Sequence, residues 1–157
     1  MKAANQRVAE QLAGHGLDGE IRLLPDAVRT AKAAAEALDC EVGQIANSLI
    51  FRDVNSDRGV LIMCAGDRRV DPARVLQHCG IEIARADADF VRRETGFAIG
   101  GVPPVAHRHE LLCLLDESLQ RFAEIWAAAG TPESVFRMSP QQLRQITGGD
   151  WQALSEG

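Results

Sequence analysis

The chain has 157 residues, 46% hydrophobic and 25% charged, a composition typical of one soluble globular domain. Seventeen basic side chains against 22 acidic ones give a formal net charge of −5, which argues against a broadly basic surface that coats nucleic acid. Aromatic residues make up only 4% and tyrosine is absent, which disfavours a stacking platform for single-stranded nucleic acid.

The first third of the chain predicts short helices alternating with short strands. A helix over residues 6–14 ends in glycine, and a strand over 20–24 is broken by Pro25. Thr30 opens an alanine-rich helix over 31–38, whose small residues allow close packing on a neighbouring layer. A short helical piece over 42–46 leads into an apolar segment, 48–51, which is predicted to be a buried strand.

The middle of the chain predicts a hairpin followed by two helices. Residues 54–59 have the Asn, Ser, Asp and Gly of a turn, so the strand over 60–65 is expected to pair antiparallel with the preceding one. Asp71 and Pro72 begin a helix that ends at Gly80. A short strand over 81–84 and a helix over 87–94 follow.

The last third predicts a strand over 111–115, directly followed by Asp116, a second strand over 134–138 and a helix over 140–147. Residues 122–129 are ambiguous: their alanine content favours a helix, but their alternation also fits a strand. Without repeats or a linker, the pattern predicts one α+β domain over 1–157, with helices around a curved mixed or antiparallel sheet.

The four cysteines are far apart and form no C-x-x-C pair, which argues against a zinc ribbon or a redox site. Cys64 and Cys113 lie in apolar runs and are expected to be reduced core residues. The sequence has no signal-like segment and no apolar run near 20 residues, so we expect a cytoplasmic protein without a membrane partner.

The most unusual local sequence is Gly100-Gly101-Val102-Pro103-Pro104. Two glycines allow the backbone to approach a ligand closely, and two prolines make the rest of the loop rigid. This 100–104 loop therefore suits recognition of a small polar group, although a plain tight connection between strands explains it equally well.

Other candidates are weaker. His107 and His109 lack a nearby third ligand, so they predict a solvated loop, and the sequence predicts no metal and no cofactor. Arg68 and Arg69 form a small basic pair that can meet phosphates, but such a pair is more often a solvated surface. Asp116 can orient a water or bind an ammonium group, or simply cap the next turn.

Six segments together resemble the YbaK family, the family of editing domains associated with prolyl-tRNA synthetase. They cover roughly residues 28–148 in the family's order: 30–38 (TAKAAAEAL), 44–51 (QIANSLIF), 65–71 (AGDRRVD), 95–104 (TGFAIGGVPP), 115–119 (LDESL) and 136–143 (FRMSPQQL). The resemblance implies a compact domain whose mixed sheet curves around a pocket. It also implies a freestanding trans-editing deacylase, which hydrolyses the ester joining a wrong small amino acid to tRNA, usually the proline tRNA.

The resemblance also implies roles for individual residues. The family's G-x-x-x-P loop matches Gly100 to Pro104, with Gly100 and Gly101 holding the aminoacyl group and Asp116 lining the pocket. Asn47 and Ser48 would contact the substrate, and Arg68 and Arg69 the acceptor end. A synthetase or an elongation factor is an expected partner, and DNA is not.

Three positions depart from the family pattern. Most relatives have lysine where this chain has Asn47, many have a hydroxyl residue at Pro103, and many have glycine at Ala106. Asparagine brings no charge to a phosphate, and charge-assisted hydrogen bonds are about twice as strong as neutral ones. The alternative function is therefore a non-catalytic module that binds the charged acceptor end or a protein partner.

Overall fold

The computed structural model describes residues 2–18, 20–25, 28 and 30–157. The α-helices in these residues are α1 Ala3–Gly14, α2 Ala31–Leu38, α3 Pro72–Cys79, α4 Ala88–Thr95 and α5 Pro140–Thr147. Side chains of Thr30, Asp71, Asp87 and Ser139 cap α2 to α5 by accepting a backbone N–H of the first turn. None of the described helices is both long and apolar enough to span a membrane.

The strands form a mixed sheet in the spatial order β1-β8-β7-β2-β3-β6-β9, with β5 also paired to β2 and a separate pair of β4 and β10. Their bounds are β1 Ile21–Leu23, β2 Ile45–Asp53, β3 Gly59–Ala65, β4 Arg69–Val70, β5 Ile83–Arg85, β6 Leu112–Asp116, β7 Ile125–Ala128, β8 Ser134–Met138, β9 Trp151–Gln152 and β10 Ser155–Glu156. The predicted β2–β3 hairpin is confirmed. Parallel pairs β2–β7, β3–β6 and β6–β9 make the sheet mixed.

Both faces of the sheet are covered, because alternate residues of each strand point to opposite sides. On the inner face, Leu61, Met63 and Leu115 pack with residues of α1, α4 and α5 in the largest apolar cluster. On the outer face, α2 covers Ile45 and Trp126, and α3 covers the β3–β6 region. Cys64 and Cys113 are buried and free, as predicted.

Two sequence predictions need correction, and one open alternative is decided. Residues 42–46 are not one helical piece, since a 3-10 helix covers Val42–Gln44 and Ile45 already belongs to β2. Residues 48–51 are partly rather than fully buried. Residues 122–129 contain β7 and no helix, because Ile125 and Ala127 point to the inner core and Trp126 to the outer one.

Two parallel strands of the sheet diverge, and this leaves a gap beside β2. β2 pairs with β7 only at Ile45↔Trp126 and Ala46↔Ala127, and its pairing with β5 begins at Phe51. Residues 47–50 therefore have no strand neighbour on that side among the described residues. The gap is bordered by the 100–104 loop and by the turn between β7 and β8, residues 129–133.

Candidate functional site

A cavity of about 170 Å³, referred to below as the pocket, lies where β2 and β7 diverge, under the first turns of α2. Its lining includes Asn47, Ser48 and Gly100, three of the predicted site residues. It is smaller than the clefts of about 300–1,000 Å³ that take drug-sized ligands, so its volume suits a small side chain.

The pocket wall is mostly apolar. Helix α2 contributes Ala31 and Ala34, β7 contributes Trp126 and Ala128, and β8 contributes Val135. The segment before α2 adds Leu24 and Val28. No charged side chain lines the pocket among the described residues, so the wall favours an uncharged apolar group.

The backbone of β2 supplies polar groups to this apolar space. The Ile45 carbonyl accepts a bond from Gly66 N–H at 2.8 Å, and Asp53 N–H donates to the Arg58 carbonyl at 2.9 Å. Odd-numbered residues of β2 thus direct their backbone groups toward β3, and the N–H and carbonyl of Ser48 point into the gap. The Ser48 hydroxyl points to the other face, where it donates to Met63 Sδ at 3.3 Å.

The structure favours glycine at positions 100 and 101 for different physical reasons. Gly100 has a φ of +87°, in the region that side chains rarely adopt, and it lies beside Pro132 in the pocket wall. A Cβ on Gly101 would lie 2.7 Å from the backbone of Thr131. Gly101 therefore permits the loop to pack against the β7–β8 turn, and Gly100 shapes the pocket itself.

Asn47 lies opposite Cys64, and the register of β3 with β6 brings Cys64 beside Asp116. These three residues share the outer face, with Asn47 and Asp116 roughly 10 Å apart across two strand spacings. Burial, together with the Asp116 charge, raises the pKa of Cys64 to about 12. Its thiol is therefore protonated at pH 7 and is not an activated nucleophile.

Asp116 does not line the pocket. It is 1% exposed and accepts bonds from Leu154 N–H at 2.8 Å and from the Ser155 hydroxyl at 2.7 Å. The backbone N–H and the hydroxyl of Ser118 also donate to it. The carboxylate thus joins β6 to the segment around β9 and β10.

Arg68 shares a separate depression with Asp116, on the far side of the Gly66 turn from the pocket. Gly66 itself packs on Ala31, a pocket residue: a Cβ built on Gly66 would lie 2.8 Å from the Ala31 Cβ. Arg69 is exposed on β4, paired with Glu156 of β10. The two arginines therefore flank the pocket at a distance and do not line it.

Pro104, His107 and His109 lie on another depression, away from the pocket. The His107 ring donates from Nε2 to the Pro103 carbonyl at 2.6 Å. Burial lowers the pKa of His107 more than this bond raises it, so the ring is mainly neutral at pH 7. No cluster of three metal-binding side chains occurs in the part of the chain that the structure describes.

Several pocket residues were missed by sequence reasoning. Ala31 and Ala34 were identified only as a packing face, and Trp126 lay in the ambiguous segment. No sequence feature identified Pro132 as a pocket residue. They reach the pocket only because β7, β8 and α2 converge there, a long-range arrangement that local patterns do not report.

Comparison with known proteins places this geometry among editing domains. A family model described as "aminoacyl-tRNA editing domain" matches residues 25–146. The uncharacterized protein YwhH of Bacillus subtilis (strain 168) is 33% identical over 118 residues, which are 75% of this chain and 74% of that protein.

Two solved structures share the fold over nearly their whole length. One, described as a candidate trans-editing enzyme for prolyl tRNA synthetase, is 39% identical with a TM-score of 0.92, covering 100% of this chain and 99% of that one. The other, hypothetical protein APE2540, is 27% identical with a TM-score of 0.87, covering 96% and 99%.

Proposed function

Because the chain belongs to the aminoacyl-tRNA editing domain family, we propose that it is a trans-editing deacylase. It hydrolyses the ester that links a wrongly attached small amino acid to a tRNA. An apolar pocket cannot strongly reject a slightly smaller substrate, since one methylene is worth about 1–3 kcal/mol. A separate hydrolytic site overcomes this weak discrimination, because it removes a wrong amino acid after it has been attached to the tRNA.

The pocket at the divergence of β2 and β7 carries this proposal. Its volume of about 170 Å³ and its alanine, valine and leucine wall suit a small aliphatic side chain. Its polar groups include the backbone of Ser48 and of Gly100, which line the same cavity. One site therefore combines an apolar side-chain subsite with fixed backbone dipoles.

Hydrolysis of an ester makes limited demands on such a site, because the acyl bond is already activated. The side chain of the amino acid enters the apolar cavity, and this places its ester at the backbone edge of Ser48. The Ser48 N–H is the group in position to stabilise negative charge on the carbonyl oxygen. Gly100 holds the opposite side of the ester, so that water attacks a positioned carbonyl.

The acceptor end of the tRNA is proposed to leave the pocket past Asn47 toward Arg68 and Arg69. The turn that bears these arginines packs on α2 beside the pocket, which supports this direction. Asn47 offers a neutral amide there. A synthetase or an elongation factor that presents the tRNA would compensate for the small number of cationic contacts.

The proline tRNA is the proposed substrate, supported by the structural neighbour described as a candidate trans-editing enzyme for prolyl tRNA synthetase. Asp116 has no part in the proposed chemistry, because its hydrogen bonds hold the C-terminal strands. Pro104 contributes by making the loop rigid behind Gly100.

The test is deacylation of proline, alanine and threonine tRNAs that carry wrong amino acids. We expect turnover of at least one small-amino-acid ester, lowered about tenfold or more by Gly100→Ala. The substitution places a side chain on a backbone with φ +87°, and relief of this strain changes the backbone position of the loop at the pocket. Initial rates at saturating and at low substrate separate kcat from KM.

Gly80→Ala is the matched control. Gly80 has a φ of +70°, with nothing within 4 Å of a built Cβ, and it ends α3 outside the pocket. The same backbone strain is thus introduced without touching the site, and deacylation should stay within about twofold of wild type. Release no faster than in buffer alone for every tRNA would refute the enzyme.

The second candidate is a non-catalytic module that binds the charged acceptor end. Asn47 at the position of the family's lysine favours it, because the main charged contact to the tRNA is missing. Binding of aminoacyl-tRNA without any deacylation would support this module in place of the enzyme.

A further inference from the structure

Helix α1 lies outside the matched residues 25–146, but it contacts the turn between β7 and β8, whose Pro132 lines the pocket. Asn5 in its first turn is 1% exposed. Its side-chain Nδ2 donates to the Ala129 carbonyl at 2.8 Å and to Ser134 Oγ at 2.8 Å. These two partners are the two ends of the β7–β8 turn, so one amide side chain holds the turn closed.

Further contacts of Ser134 and Gly130 determine the conformation of the turn. Ser134 Oγ also accepts from Thr131 N–H at 3.2 Å and lies 2.6 Å from Thr131 Oγ1. Gly130 has a φ of +108°, and a Cβ there would lie 2.9 Å from the Ala4 carbonyl oxygen. The turn therefore packs directly on the first turn of α1, with no space for a side chain between them.

The same turn holds the 100–104 loop. Gly130 N–H donates to the Gly101 carbonyl at 3.0 Å, and Gly101 packs on the Thr131 backbone. Pro132, the tip of the turn, lies 3.8 Å from a Cβ built on Gly100, and both residues line the pocket. The loop and the turn are therefore neighbours at the pocket, and their contact forms one side of its wall.

We propose that Asn5 is a positioning residue of the pocket, which fixes Pro132 against Gly100 and thereby sets the largest side chain that the pocket accepts. The inference rests on the proposed function, in that selectivity is measured on aminoacyl esters. Without the two bonds from Asn5, the buried Ala129 carbonyl loses its side-chain donor and Ser134 Oγ loses one of its donors, and the turn moves away from the loop so that the carbonyl reaches water.

Asn5→Asp separates this role from the stability of α1. Asn5 Oδ1 also accepts from Lys2 N–H at 3.3 Å at the start of the helix, and aspartate keeps that acceptor. A carboxylate near a helix N-terminus is favourable, so the helix itself is not weakened. The substitution replaces the N–H groups directed at Ala129 and Ser134 with a carboxylate oxygen, whose charge repels the Ala129 carbonyl.

The first measurement is amide hydrogen exchange of Gly130, whose N–H reports the contact between turn and loop. We expect Asn5→Asp to accelerate Gly130 exchange about tenfold relative to Ile62 in the core of β3. Leu12→Ala is the control: it creates a cavity at a fully buried site of α1, about 10 Å along the helix from Asn5. Leu12→Ala should leave the ratio of the Gly130 exchange rate to the Ile62 exchange rate unchanged.

The second measurement is selectivity, as kcat/KM for alanyl and valyl esters of the same tRNA at a temperature where all variants are folded. The alanyl preference should fall about fivefold in Asn5→Asp and stay within about twofold in Leu12→Ala. Unchanged relative exchange of Gly130 overturns the positioning role, and unchanged selectivity overturns its effect on the pocket. If wild type hydrolyses neither ester, the proposed function fails, while Gly130 exchange still decides whether Asn5 holds the turn.

Discussion

Asn47 is the residue at which the proposed contact with a tRNA depends most on charge. Its position on β2 directs it to the outer face beside the pocket, and the family resemblance of the sequence leads us to expect a lysine there. Ala106, another departure from the family pattern, has a φ of +69°, the conformation that glycine adopts without strain. The backbone at Ala106 thus has a geometry that suits glycine, while the side chain of Asn47 brings no charge.

We predict that Asn47→Lys increases affinity for tRNA about threefold to tenfold at low salt. A lysine ammonium releases a counterion on meeting a phosphate, so the slope of log affinity against log salt should steepen by about 0.7–0.9. Filter binding or fluorescence anisotropy over a range of salt concentrations measures both quantities.

Asn55→Lys is the control, because it makes the same chemical change at an exposed position in the β2–β3 turn. It lies about 26 Å along β2 from Asn47 and should leave affinity nearly unchanged. An equal increase in tRNA affinity for the two variants would mean that affinity depends on the overall charge of the protein. Asn47 would then not lie at a tRNA contact.

Among the elements, α4 is joined to the sheet by one buried carboxylate. Glu94 is 4% exposed and accepts from Gly59 N–H at 2.8 Å and from Arg58 Nε at 3.0 Å. Burial raises the pKa of Glu94, but these bonds and the charges of Arg58 and Arg93 outweigh it and hold the pKa below its usual value. The contact joins the C-terminal turn of α4 to the start of β3.

This lowered pKa predicts how stability depends on pH. Because the folded-state pKa lies below the unfolded one, the contribution is complete above pH 4.5, the ordinary value, and is lost as pH falls through the folded pKa. Glu94→Gln should therefore lower the free energy of unfolding by about 1–3 kcal/mol at pH 7. The difference from wild type should shrink below pH 4.5, as measured by urea unfolding.

Glu124→Gln serves as the comparison for Glu94. Glu124 pairs with Arg137 at 2.8 Å, but both side chains are more than half exposed, so the pair adds little stability. A variant at Glu94 whose deficit is the same at pH 7 and pH 3 would show that packing, and not the ionised carboxylate, provides the contact.

For the whole molecule, the formal net charge of −5 limits how much tRNA the protein can contact. Many arginines are also paired with carboxylates, as Arg121 is with Asp67 at 2.6 Å. The proposed site needs only the amino acid and the acceptor end. A small footprint is therefore compatible with an acidic protein.

We predict that an acceptor-stem minihelix and the full tRNA bind with affinities within about threefold of each other. The slope of log affinity against log salt should be about −2 to −3, which corresponds to about three phosphates. Competition binding with RNAs that carry no amino acid, repeated over a range of salt concentrations, measures the affinities and the slope. A full tRNA that binds more than tenfold tighter, or a slope steeper than about −5, contradicts the small footprint.

The sequence by itself predicted much of the local structure. Thr30 and Asp71 marked the starts of α2 and α3, because a capping side chain acts on its own first turn. The β2–β3 hairpin was also predicted, because its turn residues are neighbours in the sequence. Strands of two residues, such as β4 and β9, were missed because they are too short to have a periodicity.

Of the site, the sequence identified the parts that carry local signals. Asn47, Ser48 and Gly100 line the pocket, whereas the predicted pocket position of Asp116 does not agree with the geometry. The strand position of Asp116 was visible in the sequence, but its partners Leu154 and Ser155 lie more than 35 residues away along the chain.

What the sequence determined alone is the composition of an acidic domain, its capped helices, its hairpin and the glycines of the 100–104 loop. These follow from interactions within a few residues. Only the tertiary structure decided that β2 and β7 diverge after two paired positions, that Pro132 lies beside Gly100, and that Asn5 holds the turn between them. Those contacts join residues about 30 to 125 positions apart, and such pairs form only when the whole sheet packs.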